Sequence, residues 1–191
     1  PSMEAAFIDI GFEKMAFLHI DDLVTDHADL DELVSGAKVT KPKRGRYRTR
    51  IEQMLREGDQ LIVQVQKDQI STKGPRLTCY VAIPGRYMVF MPTISQVGVS
   101  RKIEDDQERI RLRNILKEFK PTSGGFIVRT AASGVSYRTL QHEANYLMSE
   151  WHKFFSRSKV GKGPLQLHQE FDLPMRMIRD TFGNEDFRVV V

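Results

Sequence analysis

Apolar and polar positions alternate along the start of this chain, and the alternation predicts strands. Over 4–10, Ala6, Ile8 and Ile10 share one face while Ala5, Phe7 and Asp9 share the other. The pattern repeats over 14–20, with Ala16, Leu18 and Ile20 opposite Met15, Phe17 and His19. Further strands are predicted over 60–67 and 76–83. Short alternating strands interrupted by one long polar insertion suit a small antiparallel barrel of the OB type. The alternation leaves the two phenylalanines open: they are either core residues of a strand covered on both faces, or rings presented outward beside Lys14 and His19.

From about Tyr80 the texture becomes mixed, so the fold class predicted for the whole is α+β. Strands are predicted over 87–91 and 126–130. The stripe Leu112, Ile115, Leu116 and Phe119 predicts an amphipathic helix over 103–119, opened by Asp105 and Asp106 and ended by Pro121 and Gly124-Gly125. The longest helix is predicted over 137–155, where Leu140, Ala144, Leu147, Trp151 and Phe154/Phe155 recur every three or four residues. That aromatic stripe reads as core. A Lys/Gly-rich loop over 157–164, a last helix over 173–182 and a strand over 187–191 complete the chain.

Composition narrows the function classes only modestly. In 191 residues, 29 Lys and Arg stand against 25 Asp and Glu, a net charge of +4 that does not by itself define a nucleic-acid binder. Distribution says more, since residues 41–50 hold six cations and no acid. No apolar run approaches the ~20 residues of a membrane helix. A lone cysteine, Cys79, excludes an internal disulfide and a cysteine zinc cluster, and points to a reducing compartment. The chain opens almost directly in a strand and closes on Arg188-Val189-Val190-Val191, so a segment of a longer protein is expected.

Four segments carry candidate chemistry. They are Lys73-Gly74-Pro75-Arg76-Leu77-Thr78, Gly85-Arg86-Tyr87-Met88-Val89, Gly98-Val99-Ser100-Arg101-Lys102, and Gly124-Gly125-Phe126-Ile127-Val128-Arg129-Thr130-Ala131-Ala132. Each sets a cation beside a glycine or a small hydroxyl residue at a strand end. That combination suits an oxyanion: guanidinium offers charge and a fork of donors, Ser or Thr a hydroxyl, and glycine a close backbone approach.

Those segments, with Ser2-Met3-Glu4-Ala5-Ala6-Phe7-Ile8-Asp9-Ile10-Gly11 and Ala16-Phe17-Leu18-His19, resemble the ribonuclease E/G family of bacterial endoribonucleases along nearly the whole chain. The wording of Val97-Gly98-Val99-Ser100-Arg101 and of the Arg129 segment is nearer the G branch than the E branch. The resemblance implies an RNA-binding OB barrel lacking its first strand over 1–79, with a basic insertion at about 35–50. A 5′ sensor region over 80–172 and the start of a ribonuclease-H-like subdomain over 173–191 would follow. It implies that Phe7 and Phe17 grip RNA beside Lys67 and Lys73. It also implies that Arg129 and Thr130, supported by Arg101, contact a 5′-monophosphate, and that Gly85 and Val89 pack the terminal nucleotide. Arg86 after Gly85 departs from the family pattern.

The implied partner is 5′-monophosphorylated single-stranded RNA, and the implied parent is a cytoplasmic, Mg²⁺-dependent endoribonuclease of rRNA maturation and mRNA decay, a homo-oligomer at full length. No catalytic or metal-binding set is legible in this chain. His19, His27, His142, His152 and His168 show no ligand spacing, and Asp21-Asp22, Asp29/Asp31 and Asp105-Asp106 read as solvated or helix-opening charges. The family's catalytic aspartates and zinc cysteines fall beyond these residues, so the chain itself is expected to be inert and without cofactor. The alternative is a non-catalytic single-stranded-RNA-binding module.

Overall fold

A computed structural model of the chain describes residues 4–23, 50–70, 73–95, 97–119, 121, 123–161 and 163–181. The basic insertion (apart from Arg50), His27, the Asp29/Asp31 pair and the strand expected over 187–191 lie outside the described residues.

Among the described residues, two four-stranded sheets and four α-helices make up an α+β fold. The first sheet contains β1 (Ala5–Ile8), β2 (Ala16–His19), β3 (Gln64–Lys67) and β4 (Arg76–Thr78) in the order β1-β2-β4-β3. A one-turn helix α1 (Ile51–Met54) precedes β3. The antiparallel β1–β2 register pairs Ala6 with Leu18 and Phe7 with Phe17, so the predicted two-faced alternation holds. One face buries Ala16, Leu18 and Leu77, against which Ile8, Ile51, Leu61 and Val63 pack.

The strand predicted over 76–83 is two strands, because the backbone at 79–82 finds partners outside a ladder. Cys79 N donates to Asp22 O at 2.7 Å, Tyr80 N to Thr78 Oγ1 at 3.1 Å, and Val81 N to Cys79 O at 3.0 Å. The Gln64 side chain then takes Ala82 at both ends, accepting from its N–H at 2.8 Å and donating to its carbonyl at 3.3 Å. The chain bends out of the first sheet and enters the second as β5 (Ile83–Pro84).

The second sheet adds β6 (Met88–Met91), β7 (Val97–Val99) and β8 (Gly125–Val128), ordered β5-β6-β8-β7. Helices α2 (Asp106–Phe119) and α3 (Tyr137–Ser158) pack on it. Helix α2 begins three residues later than its apolar pattern suggested: Asp105 Oδ1 accepts from Gln107 N at 2.8 Å and caps the end, while Ile103 is buried as a core residue ahead of the helix. Ser136 caps α3 by accepting from Thr139 N. The α3 stripe is core at Leu140, Ala144 and Leu147, and Trp151 and Phe154 pack against its edge; Phe155 is exposed. A last helix, α4 (Leu173–Thr181), contributes no buried residue.

The loop that follows β8 is fastened to α2 by one carboxylate. Glu108 accepts from Arg111 Nε and Nη2, both at 2.6 Å, and from Gly134 N at 2.8 Å, while Arg111 Nη2 also donates to Val135 O at 3.0 Å. The bonds from Arg111 pull the Glu108 carboxyl down to about 2; burial opposes them and the Gly134 amide assists. A carboxyl depressed on folding stabilises above its unfolded value of about 4.3, and that contribution is lost as pH falls through the folded one. Glu108→Gln is therefore expected to lower the urea-unfolding free energy at pH 7 by about 1–2 kcal/mol. The deficit should shrink steadily between pH 5 and about 2; a deficit independent of pH would contradict the ion pair as its cause.

Candidate nucleic-acid interface and anion site

The register of the first sheet lines up one row of side chains across all four strands. Phe7 stands opposite Phe17, Phe17 opposite Arg76, and Arg76 opposite Lys67. Phe7 is 57% exposed, Phe17 is half-buried, and Arg76 and Lys67 are exposed. The two rings meet edge to face at 6.1 Å, and His19 lies 6.3 Å beyond Phe17. An irregularity between Val65 and Lys67 puts Lys67, in place of Gln66, opposite Arg76. Arg76 is oriented by Asp22, which accepts from its Nη2 at 2.8 Å and its Nε at 3.2 Å. Lys73 is exposed in the turn before β4, outside the row. That turn runs close under the start of β2, since a Cβ on Gly74 would collide with the Met15 carbonyl oxygen.

The second cluster gathers at one end of the second sheet. Arg129 follows β8, with its N–H donating to Tyr87 O at 2.8 Å, and it precedes a 3-10 turn at Thr130–Ala132. Its Nη1 donates to Gly85 O at 2.6 Å and to Asp180 Oδ1 at 2.9 Å, and its Nη2 donates to Asp180 Oδ2 at 3.1 Å. Thr130 beside it is exposed. Because β7 runs parallel to β8, with Ser100 N donating to Val128 O at 2.9 Å, exposed Arg101 emerges at the same sheet end. Gly85, Arg129 and Thr130 are thus brought together, with Arg101 on the same edge. Val89 is placed further in, opposite Ile127, half-buried against Met91 and Ile94.

Four residues of this cluster, Glu143, Glu170, Arg179 and Asp180, carry no sequence motif. Glu143 on α3 accepts from the backbone N–H groups of Arg86 (2.7 Å), Tyr87 (2.9 Å) and Met88 (2.9 Å), and so holds the turn that aims the Gly85 carbonyl at Arg129. A Cβ at Gly85 would lie 2.7 Å from the Glu143 carboxyl carbon, so a larger residue there would have to displace the clasp. Burial pushes the Glu143 carboxyl up in spite of its three amides and the Arg129 charge. Asp180 is held well below the usual carboxylate range, by Arg129 first and Arg179 second. Arg179 donates to Asp180 Oδ1 at 3.0 Å, to Glu170 Oε1 at 2.9 Å and to Pro84 O at 3.3 Å. Arg86, the departure from the family pattern, lies 5.3 Å from the Tyr87 ring centroid and reaches Thr181 O at 3.5 Å.

Among the described residues no group of three or more His, Cys, Asp or Glu side chains could hold a metal ion, and no helix is long and apolar enough to cross a membrane. What the two clusters offer is an aromatic-to-cationic strip and a forked guanidinium at a strand end, chemistry that suits stacked bases and phosphate oxygens.

The chain belongs to the Ribonuclease E/G family, whose sequence profile matches residues 82–191. It is 42% identical over 191 residues to ribonuclease G of Escherichia coli (strain K12), covering 100% of this chain and 37% of that protein. Against ribonuclease G of Haemophilus influenzae the identity is 39% over 183 residues, 96% of this chain and 36% of that protein. Ribonuclease E of the same organism is 36% identical over 193 residues, of which the chain spans 19% of the length.

The Glu143 clasp predicts a large structural effect. Glu143→Ala strips the acceptor from three backbone N–H groups and should cost about 2–4 kcal/mol in urea unfolding, with Glu143→Gln recovering part of it through its one carbonyl oxygen. A loss within the ordinary range of surface substitutions, about 0.5 kcal/mol, would show that the turn stands without it.

Proposed function

We propose that this chain is the RNA-binding and 5′-monophosphate-sensing part of a bacterial single-strand-specific endoribonuclease of the ribonuclease G type, acting in rRNA maturation and mRNA decay. The observation that carries the reading is the row Phe7–Phe17–Arg76–Lys67 across an exposed sheet face. Rings at one end offer stacking surface to unpaired bases, and cations at the other meet the phosphates between them, which is how OB-type sheets hold single strands without reading every base. The identities to ribonucleases G and E support the same reading.

Arg129 is the sensor. Its two Nη groups match two oxygens of a terminal phosphate, Thr130 supplies a neutral donor alongside, and Arg101 adds charge on the same sheet edge. A 5′-hydroxyl offers that fork one neutral acceptor and no charge. Hydrolysis, with the Mg²⁺ implied for it, is assigned to the longer protein, and no step of it is assigned to this chain. The magnesium-dependent parent is cytoplasmic and self-associates.

Two measurements test this. Phe7→Ala and Phe17→Ala should each weaken binding of a short A/U-rich single-stranded RNA by about 1–3 kcal/mol while leaving the melting temperature nearly unchanged; full affinity, or a collapse in melting temperature, would make the rings core residues. Separately, a 5′-monophosphorylated RNA should bind more tightly than its 5′-hydroxyl twin by about 1.5–3 kcal/mol at one fixed ionic strength. Arg129→Ala should erase that difference and spare the 5′-hydroxyl affinity, and Arg129→Lys should restore only part of it. Equal binding of the two RNAs by the unaltered chain would remove Arg129 from the role.

A further inference from the structure

The fork that would receive a terminal phosphate already holds an anion, the carboxylate of Asp180. Resting on the reading of Arg129 as the phosphate site, we infer that Asp180 is an internal competitor at that site: a carboxylate that keeps the fork closed until a 5′-terminal phosphate displaces it, and so holds down the affinity for phosphorylated ends. Asp180 engages Arg129 through two oxygens on two nitrogens, at 2.9 and 3.1 Å, the arrangement a phosphate would adopt on the same guanidinium.

Asp180 is built to leave, and the neighbouring carboxylate is not. Its side chain is 34% exposed, and it has a second guanidinium to stay with, Arg179, which is itself anchored to Glu170 and Pro84 O. Letting go of Arg129 therefore strands no charge. Arg129 in turn keeps the Gly85 carbonyl at 2.6 Å. Helix α4, which carries Asp180, buries no residue of its own, so a small shift of it exposes no core. Glu143, by contrast, is half-buried on the long helix α3 and accepts three backbone N–H groups, so it stays in place as the floor of the site.

Charge then supplies the selection. A terminal monophosphate carries close to two negative charges at neutral pH and outbids a single carboxylate for Arg129. A 5′-hydroxyl brings no charge and leaves Asp180 seated. The cost of displacing Asp180 therefore falls on the phosphorylated end, which enters the fork, and not on the hydroxyl end, which does not.

The test compares the 191-residue chain with Asp180→Asn, Arg129→Ala and Glu170→Gln, each titrated against a 5′-monophosphorylated RNA and its 5′-hydroxyl twin at one ionic strength. Asp180→Asn should raise affinity for the phosphorylated RNA roughly tenfold and for the hydroxyl twin by less than about twofold. Glu170→Gln, which removes one nearby charge off the fork, should move both RNAs alike. If Asp180→Asn shifts both RNAs equally or neither, while Arg129→Ala still abolishes an existing phosphate preference, the competitor role is overturned and the phosphate site stands. If no variant and not the parent chain prefers the phosphate, both readings fall. Should Asp180→Asn fail to fold, the carboxyl ¹³C resonance of Asp180 in the unaltered chain is followed as a nucleoside 5′-monophosphate is added. It should move with the nucleotide and stay with the bare nucleoside; an unmoved resonance at saturation overturns the inference.

Discussion

A guanidinium held half-buried at the end of a strand needs acceptors on its donors, and the arrangement of the second sheet follows from how Arg129 obtains them. One is the Gly85 carbonyl, which points at Arg129 because the turn at 85–88 is clasped by Glu143 from α3. The other is Asp180, which carries α4 onto the same turn, where Arg179 and Arg86 add bonds to Pro84 O and to Thr181 O. Leaving such a charge unsatisfied costs several times what a neutral hydrogen bond contributes. The site thus pairs Arg129 and Arg179 with Asp180 and Glu170, while Glu143 is fixed by burial and by three backbone N–H groups and Asp180 is held only by hydrogen bonds from the two guanidinium groups.

In the proposed reading the two sheets divide the work of holding RNA. The first builds an open strip from register, with rings and cations placed side by side by strands that are distant in sequence. The second builds a point contact at a sheet end, where parallel β7 and β8 deliver Arg101 and Arg129 to one edge. Between them the chain crosses at 79–82 with its backbone groups taken up by Asp22, Thr78 and the Gln64 side chain, which ties the strip's β3 to the strand leading into the 85–88 turn.

Local features were legible in the sequence, and long-range ones were not. Alternation put Phe7 and Phe17 on one face, and periodicity found all three longer helices, because side-chain period is a property of neighbouring residues. The membership of Arg76 in the row was hidden, since it depends on parallel pairing of β2 with β4 across a long connection and on the irregularity beside Lys67. The break after Thr78 was hidden too, as Thr78, Cys79 and Val81 are good strand residues and only the Thr78 hydroxyl, which accepts from Tyr80, signals a turn. Arg129, Gly85 and Thr130 stood out through motif chemistry. Their carboxylate partners Glu143 and Asp180 did not, because each sits on a helix whose apolar stripe dominates its pattern, and each meets Arg129 or the 85–88 turn only through tertiary packing.

The most direct test of the account is a crystal structure of the chain with a nucleoside 5′-monophosphate bound. Two phosphate oxygens should lie at about 2.7–3.0 Å from Nη1 and Nη2 of Arg129, with a third near the Thr130 hydroxyl. Glu143 should still clasp the 85–88 turn, and Asp180 should be off the fork but beside Arg179. Phosphate bound away from Arg129 and Thr130, or nucleotide bound with Asp180 still seated on Arg129, would contradict it.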